Sequence, residues 1–109
     1  MKTWEEKLAF FDKIIDNHPE LERKGKTMPY TSANGHMFSL LNKAGEIGFR
    51  FSKEQGEAFM SKYDTTRFKS HGSFMQGYVL IPENLYTDLD LLTKYLDESY
   101  KYVLTLEPK

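Results

Sequence analysis

The chain contains no cysteine, so neither a disulfide framework nor a thiolate metal site can form. That absence fits a reducing compartment. Long apolar runs are missing too. Nothing approaches the roughly 20 residues that a membrane-spanning helix needs. The opening stretch carries Lys2, Glu5, Glu6 and Lys7 where a signal peptide would be apolar. A soluble, cytoplasmic protein without membrane contacts is therefore expected. There are three histidines, His18, His36 and His71. None stands at ligand spacing from another histidine or from a carboxylate in a metal-binding pattern, and no metal or cofactor is expected. Repeats, low-complexity tracts and linkers are also lacking, and 109 residues suit one domain spanning 1–109.

What is present is aromatic and nearly balanced in total charge. Aromatics make up 15% of the chain, which argues against disorder. The formal net charge is -1, but it is unevenly spread. Residues 1–22 carry net -3, residues 23–71 net +5 and residues 72–109 net -3. The basic middle offers a surface for an anion or a nucleic acid, or it neutralises the acidic ends within one folded domain. The low overall pI of about 6.3 favours the second reading.

Helix signals stand at both ends. Thr3-Trp4-Glu5-Glu6 is a capping-box pattern. Trp4, Leu8, Phe11 and Ile15 then recur at helical spacing until Pro19 forces an end near Asn17. A last helix starts near Thr87, whose hydroxyl can cap it, with Leu89, Leu92, Leu96, Tyr100 and Val103 on one stripe. Between them, Asn34-Gly35 is a hairpin turn pair joining Met28–Ala33 to His36–Asn42. Pro29 places the first arm at a sheet edge. A turn at Lys43-Ala44-Gly45 leads into Ile47–Phe51. With a loop of two or four residues, Phe38 and Leu40 share a face with Ile47 and Phe49. Ser52-Lys53-Glu54-Gln55 caps a short helix whose inner side is expected at Ala58, Phe59, Lys62 and Tyr63. A short strand at Arg67–Lys69 and a longer one at Phe74–Ile81 follow. The expected class is α+β: an antiparallel β-meander sheet with an N-terminal helix, a short inserted helix and a long C-terminal helix.

The other face of the first hairpin presents Met28, Tyr30, Met37 and Leu41. A sheet apolar on both faces needs a second cover, either further helices or another subunit, so these four residues are the candidate protein interface. Cations interleave with rings at Phe49-Arg50-Phe51 and Arg67-Phe68-Lys69. Single-strand nucleic-acid binders use such pairings, yet a half-buried strand with rings inward and cations outward reads the same way. Arg50, Arg67, Lys69 and His71 are the candidate anion or nucleic-acid contacts. His71 lies in the loop Lys69-Ser70-His71-Gly72-Ser73, where adjacent residues rarely reach the geometry of a nucleophile and its base. His18 fits a helix end and His36 is expected to face solvent. No catalytic residue is assigned, and the chain is read as not an enzyme.

The motif order resembles the N-terminal domain of the TfoX family, regulators linked to natural competence in bacteria. The resemblance rests on Asn34-Gly35-His36-Met37-Phe38-Ser39-Leu40, on Gly45-Glu46-Ile47-Gly48-Phe49-Arg50-Phe51 and on Gln76-Gly77-Tyr78-Val79-Leu80-Ile81-Pro82 before a leucine-rich helix. It covers about Arg23 to Leu106. Pro29, Tyr30 and Thr31 depart from the family's aromatic and paired glycines after the methionine, and the second domain of the full regulators has no counterpart here. The resemblance implies a small regulatory module that works through protein contacts or through self-association into a dimer. It brings no catalytic residues to carry over.

Overall fold

Thr3 opens the first helix as its cap: the hydroxyl accepts from the Glu6 amide, and Glu6 Oε1 accepts from the hydroxyl in return. The structure, a computed structural model, describes residues 3–109. Helix α1 runs Trp4–Asp16, followed by strands β1 (Tyr30–Ala33), β2 (His36–Leu41) and β3 (Ile47–Arg50). Helix α2 (Lys53–Tyr63), strands β4 (Arg67–Ser70) and β5 (Ser73–Leu80), a 3-10 turn (Glu83–Leu85) and helix α3 (Leu89–Leu104) complete the chain. The architecture is the expected α+β class, with a five-stranded antiparallel sheet ordered β1-β2-β3-β5-β4. Ser52 caps α2 by accepting from the Gln55 amide. The cap of α3 is Asp88, not Thr87: its carboxylate accepts from the Leu91 amide, and a carboxylate at that end also suits the helix dipole. β1 does lie at the edge, where Pro29 needs no ladder donor, and only an isolated bridge between Lys24 and Tyr30 runs outside it.

One face of the sheet carries the main core. Phe38, Leu41, Ile47, Phe49 and Val79 meet Phe10, Phe11, Ile14 and Ile15 of α1 and Leu92, Leu96 and Val103 of α3. The expected grouping of Phe38 with Leu40 is corrected here by two features of backbone. The turn after β2 spans Lys43-Ala44-Gly45 and closes through the Asn42 amide on Glu46 O, with Gly45 at φ 81°. A three-residue loop with a left-handed glycine shifts the parity that loops of two or four residues would give. Leu41 therefore stands opposite Ile47, and Leu40 opposite Gly48. A bulge then interrupts β1–β2 pairing between Thr31 and Ser32, so that Thr31 faces Ser39 but Ser32 faces Met37. The extra residue is Phe38, which the bulge returns to the helix-covered core. Thr31 and Ser39, both buried, satisfy each other by a hydroxyl–hydroxyl bond.

The opposite face is covered by the chain itself. Leu40, Phe68 and Tyr78 form a second buried cluster, flanked by Met28, Tyr30, Met37, Met75 and Leu80. β5 is irregular: Arg67 pairs with Val79, whereas Lys69 pairs with Phe74, and Gly77 sits between at φ 84°. This bend brings β4 back across the sheet, so that Phe68 lies on Gly48 and Lys69 O accepts from Asn42 Nδ2 at 2.9 Å. Leu41, expected on this face, is instead fully buried on the helix side. On α2 the inner residues are Gly56 and Phe59, while Ala58 and Lys62 are exposed; Gly56 faces Val79.

Candidate functional site

β3 ends at Arg50, opposite Tyr78 of β5. The next residues, Phe51 and Ser52, turn into α2. Gly77 lies at this corner with φ 84°. Its positive φ disfavours any side chain, and the stem of Arg50 runs past it at ordinary van der Waals distance. Arg67, at the start of β4, stands beside Val79 on the far side of β5. The result is a cleft of about 620 Å³, lined by Arg50, Ser52, Lys53, Arg67, Gln76 and Tyr78. Gly56, Glu57 and Met60 of α2 and Tyr102 of α3 complete the wall.

The electrostatics of the cleft are one-sided. Three cations, Arg50, Lys53 and Arg67, meet one carboxylate, Glu57. Among the described residues none of the three cations forms an ion pair or a hydrogen bond, and Glu57 pairs with none of them. Arg23 and Lys101, by contrast, each hold an aspartate at 2.9 and 3.0 Å. Tyr78 is almost fully buried beside the cleft, and its hydroxyl has no protein partner. Burial pushes the phenol well above its usual range, and the nearby Arg50 offsets only part of that. It remains a neutral phenol, with its proton available for donation.

Two of the four candidate anion contacts, Arg50 and Arg67, thus converge on one cleft. Lys69 does not line it; its ammonium lies over the Phe74 ring at 4.7 Å from the centroid. His71 is separate again, at positive φ in the exposed turn between β4 and β5, near Lys43 and Glu46. The rings interleaved with the cations in sequence, Phe49, Phe51 and Phe68, are all core residues. The exposed ring is Phe74, 47% accessible, with Arg67 over it at 4.3 Å. Sequence reading missed Lys53, Gln76 and Phe74. The one signal pointing to Gln76 and Phe74 was Gly77 inside a strand, a mark of a bulge that resets which residues face out.

The remaining histidines have structural partners. His18 is buried; its Nδ1 accepts from the Glu20 amide at 3.1 Å, so Nε2 carries the hydrogen that Asp97 Oδ1 accepts at 2.8 Å. That bond, with help from Lys101, holds the Asp97 carboxyl below its usual range. His36 is not simply solvent-facing, because its Nε2 meets the Glu107 carbonyl at 2.7 Å. Of the candidate interface, Met28, Tyr30 and Met37 stay half-buried beside Leu40, without Leu41. Among the described residues no helix is long and apolar enough to cross a membrane.

A scan against protein-family models and a search of curated proteins both find no match to this chain.

Proposed function

We propose that the chain is a non-enzymatic binding module of the TfoX N-terminal type, and that it holds an anionic partner in the cleft between β3, β5 and the start of α2. The observation that carries this reading is the convergence of Arg50, Lys53 and Arg67 on one concavity whose single carboxylate, Glu57, pairs with none of them. Like charges gathered in a cleft with low-dielectric walls focus their field on whatever enters it. Arg50 and Arg67 add planar donor forks that suit phosphate or carboxylate oxygens. What supports the module reading is how the motifs of the resemblance are used. Asn34 holds the end of α3, Gly48 seats Phe68 and Gly77 bends β5. They build a scaffold and leave the chemistry to the cleft.

Calorimetric titration with inorganic tripolyphosphate at low salt tests the proposal. Saturable binding that weakens with salt and is lost in Arg50→Gln/Arg67→Gln is expected; binding indifferent to that double change would sink it. Self-association through Met28, Tyr30 and Met37 is a second reading, favoured by their incomplete cover. Sedimentation equilibrium would register a dimer that Met37→Lys dissociates, and a strict monomer at high concentration would count against it.

A further inference from the structure

We propose that the binding surface continues from the cleft onto the β4–β5 hairpin, and that its ligand is single-stranded nucleic acid. This rests on the anionic-partner reading above and goes further by naming the chemistry of the ligand. Two aromatic rings with cations over them bracket the cleft. At one end the Arg50 guanidinium lies over the Tyr102 ring at 5.9 Å. At the other, Arg67 and Lys69 lie over Phe74 at 4.3 and 4.7 Å. Arg67 belongs to both regions, since it also lines the cleft. Cations and accessible rings therefore follow one another along a continuous surface.

A small free anion would use the cations and leave Phe74 idle. A duplex keeps its base faces stacked inside and presents only phosphates and groove edges. An unpaired strand offers both kinds of group in alternation, phosphates for the cations and bases with free π-faces for the rings. Among the described residues, Phe74 and Leu104 are the large apolar side chains left exposed. Phe74 is flanked by two cations, Arg67 and Lys69. An exposed ring costs hydrophobic stabilisation in the free protein, and stacking a base on it recovers that area. The chain's overall charge of -1 gives no general attraction for a polyanion, so binding depends on this local arrangement.

Fluorescence anisotropy with a labelled oligothymidylate of about 12 nucleotides tests the inference, alongside a duplex of equal length and tripolyphosphate as competitor. The single strand is expected to bind more tightly than the duplex. Phe74→Leu should weaken it about tenfold without changing the salt dependence, and Phe74→Tyr should restore it. Arg67→Gln should flatten the slope of log affinity against log salt by about 0.7. Equal or tighter duplex binding, or a neutral Phe74→Leu, overturns the nucleic-acid inference. If tripolyphosphate still binds in that case, the anionic cleft stands alone. If neither probe binds, both readings fall.

Discussion

The ring of Phe68 occupies the space that a side chain on Gly48 would need. A Cβ placed on Gly48 would overlap three ring carbons of Phe68, which is itself fully buried. Glycine at this position of β3 is thus a packing requirement for the hairpin that covers the outer sheet face. Gly48→Ala should cost about 3 kcal/mol, the upper range for overpacking. Phe68→Ala should cost about 4 kcal/mol through the cavity it leaves. The double variant should cost clearly less than the sum, because the alanine methyl then enters vacated space. Urea denaturation of the three variants reads this directly; strict additivity would mean that the two residues do not share the site.

Asn34 joins the first hairpin to the last helix. Its amide nitrogen donates to the carbonyls of Val103 and Leu106, each at 2.9 Å, and its backbone holds φ 57°. Asn34→Gly keeps the turn geometry and loses the bonds, costing about 1 kcal/mol. Asn34→Ala loses both and should cost about 1 kcal/mol more, because a left-handed conformation is unfavourable for alanine. Hydrogen exchange should report faster opening at the end of α3 in both variants. Unchanged exchange there would separate the turn from the helix.

Asp97 predicts a pH dependence. Its carboxyl sits below its ordinary value because it accepts from His18 and, less strongly, pairs with Lys101. A lowered carboxyl pKa means that the folded state binds the proton less readily than the unfolded chain. Its contribution is present above the unfolded value near 3.9 and is lost as pH falls through the lower folded value. Asp97→Asn keeps an acceptor for His18 but carries no charge. Wild type should exceed it in stability at pH 6, with the gap closing only below about pH 4. A gap that persists unchanged to pH 2 would contradict the assignment.

The element order was legible in sequence because caps and turns act locally. Thr3, Ser52, Asn34-Gly35 and Pro29 each fix their own neighbourhood, and each stands where its chemistry requires. Side-chain facing was harder to read. It depends on counting by twos along β2, and the three-residue turn at Gly45 and the bulge at Phe38 each change that count once. Leu40 and Leu41 exchanged faces for that reason. The candidate cations were legible as residue types, yet their convergence was not. Arg50 and Arg67 line one cleft through the pairing of β3 and β4 with β5 and the packing of α2 on Val79, contacts between segments that no local pattern encodes.

The cleft itself is tested most directly by heteronuclear NMR with tripolyphosphate added at low salt. Amide shifts should cluster at residues 50–57, at Arg67 and at 76–78, and should vanish in Arg50→Gln/Arg67→Gln. Shifts scattered over the remaining surface lysines, or unchanged in the double variant, would contradict an anionic partner in this cleft.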